Sequence, residues 1–258
     1  MLAREAPAVA IQMLGQALEE LVAVGNPAAV GRVHANLARL LRGTGEHEAG
    51  DSHHAHADAL FRRAGDRRAV AQTQLNQAHH LLDLGDRAAA RPAAEEALQL
   101  ARRVGASQTA ALATLTLAHV HLDEHAPASA LDLSLDALRR LRESGNLWTL
   151  AEALWCVGHA SLALGRPEAA EAAFAEGLDA ARRAGGNPAN WAAGLVVARL
   201  AVHDRAGAEA VAVEVTGVPA AAVDAALHGR NPEARGDSYQ RILAHAVRRW
   251  HARDQGAS

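Results

Sequence analysis

The sequence predicts an all-α protein, a stack of five or more helix-turn-helix repeats. Three observations carry this. Gly25, Gly65, Gly105, Gly145 and Gly185 stand 40 residues apart. Gly45, Gly85 and Gly165 form a second series half a period away, with His125 and Arg205 at its remaining places. Between these stops the apolar residues are spaced as on a helix. Each half period therefore holds one helix. Glycine suits the stops because helices commonly end on a left-handed residue, which glycine adopts without a Cβ clash. Asn26, Asp66 and Asn146 directly follow the first series, where such residues cap the next helix.

The elements follow in chain order. Residues 6–24 read as the second helix of an incomplete repeat. In segment 68–84, Val70, Leu75, Ala78, Leu81 and Leu82 fall near one face. Segment 87–104 carries Pro92 early, where a missing N–H is best tolerated. Segments 108–122, 128–142, 149–164 and 167–184 repeat the form. The stretch AVAVEV at 210–215 alternates like a strand but reads as helix in register. The repeat array is expected over 1–217. Residues 218–227, after a start at Val218-Pro219, and the amphipathic 237–253, with Tyr239, Ile242, Leu243, Val247 and Trp250, are expected to be capping helices within 218–258.

Composition sets further bounds. Ala supplies 65 of 258 residues, and Lys is absent, so all 26 cations are Arg. This bias points to a high-GC bacterial genome, and the Ala content favours helix. Aromatic residues are 3% of the chain, so packing must rely on close approach of Ala and Leu. Columns of small residues agree: Ala38, Ala78, Ala118, Gly158 and Ala198, and again Gly50, Ala90, Ala130, Ala170 and Ala210. Arg62, Arg102, Arg142 and Arg182 recur at the ends of second helices, placed to complement the negative end of the helix dipole. A net charge of -3 with mixed signs lacks the basic stripe of a nucleic-acid binder. The single Cys156 precludes an internal disulfide or a multi-Cys metal site. No signal-peptide pattern opens the chain, and charges break the apolar runs before spanning length. A cytoplasmic location without membrane contact is the expectation. No glycine-rich phosphate loop is present.

The spacing resembles the tetratricopeptide repeat, in the 40-residue form of sensor domains of large bacterial transcriptional regulators. The matching residues are Ala78, Leu81, the Gly85-Asp86 turn, Ala90 and Ala97-Leu98, and the resemblance covers 6–216. It departs where Gln74, Leu154 and Arg87 fill the family's bulky aromatic places. The resemblance implies a right-handed superhelix of stacked antiparallel helix pairs, with the first helix of each pair lining a concave groove. Four columns then face the groove. One is Arg39, His79, His119, His159 and Arg199. The next is Ala35, Leu75, Leu115, Trp155 and Leu195. The third is Asn36, Asn76, Thr116, Cys156 and Val196, and the fourth includes Asp83 and Asp123. Asn36 and Asn76 match the Asn that similar repeats use to hydrogen-bond a peptide backbone.

Three His in register admit several readings: half-exposed ladder residues, contacts for a peptide or anion, or metal and catalytic groups. His79 with Asp83, and His119 with Asp123, are spaced i,i+4 on one face. Neighbouring helices stand about 10 Å apart, which argues against one compact three-His site. Cys156 and His159 are spaced i,i+3, but a nucleophile there needs a lowered thiol pKa and an oxyanion pocket. His53, His54 and His56 have a metal-binding composition, on a second helix and so on the expected convex side. No cofactor is expected. The functional expectation is a non-catalytic module that binds a peptide, a partner protein or a small effector in a regulatory or adaptor role, with a homodimer as an option. The alternative is a helical-repeat enzyme using the groove His and Asp.

Overall fold

Most turns of the chain are written in three residues, a left-handed stop, a cap residue and the first residue of the next helix; the connection from Gly185 to Ala189 is longer. In the computed structural model, which describes residues 2–216, these signals divide the chain into α1 (Leu2–Val24), α2 (Pro27–Gly43), α3 (His47–Arg63), α4 (Arg67–Asp83), α5 (Arg87–Arg103), α6 (Ser107–Asp123), α7 (Pro127–Ser144), α8 (Leu147–Ala163), α9 (Pro167–Arg183), α10 (Ala189–Ala201) and α11 (Arg205–Thr216). No strand occurs among the described residues, and AVAVEV lies inside α11. Both glycine series have positive φ, from 66° at Gly105 to 91° at Gly45. Asn26, Asp66 and Asp86 each accept a hydrogen bond from the backbone N–H three residues on, at 3.0–3.1 Å. Asn146 accepts from Trp148 and Thr149.

The half-period series differs from expectation at its last place. His125 does take the left-handed conformation, with φ 57°. Near Arg205 the left-handed residue is instead His203, with φ 61°, and Arg205 opens α11. The stop-cap-start triplet has moved two residues upstream, to His203-Asp204-Arg205. Asp204 fixes that register, because its carboxylate accepts from the Gly207 N–H at 2.9 Å. The expected capping helices at 218–258 lie outside the described residues.

The chain divides into two units, Met1–Val120 and His121–Ser258. In the first, α1 packs Ile11, Leu14, Leu18 and Leu21 on Val33, Leu37 and Leu41 of α2. The window Pro7–Val24, with mean hydropathy 1.2, is long and apolar enough to cross a membrane by length and composition alone. Only Glu19 and Glu20 interrupt it, near one end. Further along, Ala57 and Phe61 of α3 cluster with Val70, Ala71, Leu100 and Ala101. Arg62 donates to Asp58 on its own helix and, at 2.8 Å, to Glu96 on α5.

In the second unit the core gathers around Phe174 and Trp191. Phe174 is fully buried, with its ring against both Gly158 of α8 and Gly194 of α10. The Trp191 indole N–H donates to the Ala151 carbonyl at 2.6 Å, exactly one 40-residue period away in the sequence. Arg142 reaches Glu176 and Arg182 reaches Glu214, each at 2.9 Å. At these three places, then, the Arg column ties one second helix to the next, in addition to any effect on a helix dipole.

Candidate functional site

The first unit holds a cleft of about 260 Å³ between α2, α3 and α4. Four of the residues expected to bind a ligand meet in it: Arg39 of α2, and Asn76, His79 and Asp83 of α4. Ala35, Ala38 and Thr73 supply the small and apolar parts of the wall. Asn76 accepts from the Gln72 amide at 3.1 Å. His79 Nε2 shares a hydrogen bond with Thr116 Oγ1 of α6 at 2.9 Å, and Thr116 in turn donates to the Leu112 carbonyl. That chain leaves Thr116 accepting, so the His79 ring is held as the Nε2–H tautomer. Burial of the ring by surrounding protein lowers the His79 pKa, and the Asp83 carboxylate partly opposes this.

The rest of the cleft was not anticipated. Arg42, His47, His54 and His80 also line it. The Arg42 side chain is only 7% exposed. It bonds Asp51 of α3 through Nε and Nη2, and the Gln77 amide oxygen of α4. Gly50 makes room for it, since a Cβ there would fall 2.6 Å from Arg42 Cγ. His80 is buried, and its ring stacks on His47 at 5.3 Å between centroids. Its Nε2 has no hydrogen-bond partner and lies 3.6 Å from Asp51 Oδ1. Desolvation, with Arg42 next, lowers the His80 pKa, so the ring is neutral at pH 7. His54, also lowered chiefly by burial and then by Arg42, belongs to this wall and not to a remote convex face.

A signal for these residues exists in the repeat. Arg42 shares its column with Leu82, Leu122 and Leu162. Gln77 shares one with Leu37, Leu117, Val157 and Val197. His80 shares one with Leu40, Val120, Ala160 and Leu200. A polar residue in an otherwise apolar column marks a place where one repeat does something its neighbours do not.

The other expected site residues are placed differently. Asn36 is exposed on α2. Leu115 and Cys156 are buried, at 3% and 0% exposure, because the face of the first helix that carries them packs against its neighbours. They present no surface to a ligand. Burial also pushes the Cys156 thiol well up, with Glu152 adding to the effect, which is the reverse of what a Cys-His nucleophile requires. His159 lies between two aromatic rings, Trp155 at 4.1 Å and Phe174 at 5.0 Å, half-buried as part of the packing. Arg199 is committed to structure: its guanidinium meets Glu171 at 3.0 Å and the Gly207 carbonyl at 3.0 Å. His119 is half-buried and Asp123 exposed, both on α6. Among the described residues, no three metal-ligating side chains are arranged to hold an ion.

No protein-family model matches the chain. No curated protein matches it in sequence. Solved structures do match in shape. BtubC (BKLC) from P. vanneervenii is 18% identical, with a TM-score of 0.69 over 90% of this chain and 96% of that one. The apo form of RapI is 14% identical, with a TM-score of 0.68 over 96% of this chain and 72% of that one. A signal-transduction ATPase with a tetratricopeptide repeat sensor, PH0952 from Pyrococcus horikoshii, is 15% identical, with a TM-score of 0.67. The match takes 98% of this chain but spans only 43% of that larger protein. Identities this low speak to fold alone, and the fold they share with this chain is the tetratricopeptide-like array of paired helices.

Proposed function

We propose that this chain is a non-catalytic recognition module that takes a peptide segment of a partner into the cleft between α2, α3 and α4, in a regulatory or adaptor role. One observation carries the reading. Arg39, Asn76, His79 and Asp83, from two first helices, converge on a single cavity. The Asn76 amide and the Arg39 guanidinium are suited to backbone carbonyls and carboxylates. Proteins of similar fold include a Rap protein complexed with competence and sporulation factor and a signal-transduction ATPase with a tetratricopeptide repeat sensor, PH0952. A cytoplasmic location fits such a role.

The test uses the full chain as bait for a phage library of random dodecapeptides. An enriched peptide is then titrated by fluorescence polarisation. Arg39→Ala and Asn76→Ala are each expected to weaken binding by about tenfold or more, in the range of interface hot spots. Arg139→Ala, on the exposed face of α7 in the other unit, is expected to leave affinity unchanged. Absence of enrichment, or affinity indifferent to both cleft variants, overturns the proposal.

A further inference from the structure

The α3 helix is docked unlike the other second helices. From His47 to Ala59 it contains no side chain larger than Ala that is apolar. At the places of His53 and His54, later repeats carry Ala93 and Ala94, Leu133 and Ser134, and Ala173 and Phe174. At His53 imidazole contact stands where later repeats carry Ala93, Leu133 and Ala173, while Ala57 and Phe61 keep an apolar contact with α4 and α5. His53 Nδ1 lies 2.8 Å from His34 Nδ1 of α2. The His56 ring stacks on His34, with centroids 5.0 Å apart and planes 14° from parallel. Parallel planes do not converge their in-plane lone pairs on one point, so the triad does not read as a metal site. His56 Nδ1 is bonded to the Ser52 carbonyl at 2.7 Å.

We propose that this histidine triad is a proton-sensitive latch which holds α3 against α2 when neutral and releases it on acidification. The Nδ1–Nδ1 bond needs one proton between two nitrogens. A single imidazolium still satisfies it by donating to a neutral ring. Two imidazoliums bring two N–H groups face to face and break it. Burial lowers the pKa of His34 and of His53, and the mutual repulsion of the rings adds to it.

Among the described residues, the surrounding charges leave the latch without a counterion. On α2, Arg42 is occupied by Asp51, and Arg32 is exposed. On α3, Asp58 is taken by Arg62 and the Gln74 amide, and Glu48 is exposed. From α4, His80 and Asp83 act on one another and on the Arg42 side of the cleft. From α1, the carboxylates Glu19 and Glu20 are exposed. The latch acts on α3 whether or not the cleft holds a ligand.

Amide hydrogen exchange of the full chain at pH 7.5 and 5.5, corrected for intrinsic rates, reads the latch directly. Protection over residues 47–59 is expected to fall at least tenfold more than protection over α5. The double variant H34Q/H53A installs the residues found one repeat later, Gln74 and Ala93, and is expected to abolish that difference. H56E, an exposed change to the residue at the place of Glu96 and Glu176, supplies the missing carboxylate and is expected to reduce the difference even if the double variant fails to fold. Equal protection of α3 and α5 at pH 5.5 in the wild type overturns the latch. So does an acid loss that H56E leaves unchanged.

Discussion

His125 is a residue in a conformation that costs it free energy. It holds φ 57° at a place where the matching turns use glycine. A left-handed L-residue costs about 1–2 kcal/mol relative to glycine, less the greater entropy glycine loses on folding. H125G is expected to stabilise the chain by up to about 1 kcal/mol, seen as a higher urea midpoint. An unchanged or lower midpoint counts against strain there. Trp191 presents the opposite case, a single bond that joins two repeats. W191F removes the indole N–H donated to the buried Ala151 carbonyl and part of the ring bulk, at an expected cost of about 1–3 kcal/mol. His159, held between Trp155 and Phe174, is expected to lower stability by about 1–2 kcal/mol when changed to Ala, from lost ring packing. Should H159A leave stability intact and weaken the binding of a selected peptide, the residue belongs to a ligand surface after all.

At the scale of elements, both units bring helices together by setting an aromatic ring against a glycine. In the second unit, glycines on two first helices admit the Phe174 ring between α8 and α10. A Cβ at Gly158 would fall 2.6 Å from that ring. G158A is expected to destabilise by about 1–3 kcal/mol through overpacking, and G158A combined with F174L to recover part of the loss. A double variant no more stable than G158A alone removes the ring from the explanation. In the first unit the Phe61 ring of α3 sits against Gly31 of α2 in the same way, and a polar join is added, with Arg42 threaded past Gly50 to Asp51 and Gln77. The exposed Arg142–Glu176 pair is a weaker device. Ion pairs at such exposure contribute about 0–1 kcal/mol, so its removal is expected to be nearly silent.

For the molecule as a whole, the histidines set the response to pH. His34, His53, His54, His79 and His80 all have folded pKa values below the ordinary 6.5, with burial as the leading cause. The unfolded chain therefore binds more protons than the folded one as pH falls through 6.5. Stability is full above that value and is lost on the acid side, until the folded groups also titrate. Glu152, raised by burial, acts in the other direction. It favours the folded state below the ordinary carboxylate range and loses that contribution as pH rises through its folded value. The expected outcome is a urea midpoint that falls between pH 7.5 and 5.5, followed by helical circular dichroism. A midpoint that is flat or rises on acidification contradicts the sign of the histidine shifts.

By itself the sequence determined the fold class, the period and nearly every helix boundary. It could do so because stops and caps are local: glycine at a left-handed turn and an Asx cap three residues from its N–H act within one turn of chain. The one displaced boundary, at His203, also had a local cause in the Asp204 cap. The cleft was legible only in part. Arg39, Asn76, His79 and Asp83 follow from their place on first helices, whereas Cys156, in the column of Asn76, and Leu115, in the column of Ala35, are buried. Whether a column faces a cavity or a neighbouring helix depends on which side chains interdigitate across 40 residues of sequence. The meeting of Arg42, Asp51, Gln77 and His80, and that of His34 with His53, was decided by tertiary structure alone. Each joins residues on different helices, and their bonds depend on a few tenths of an ångström that no periodicity encodes.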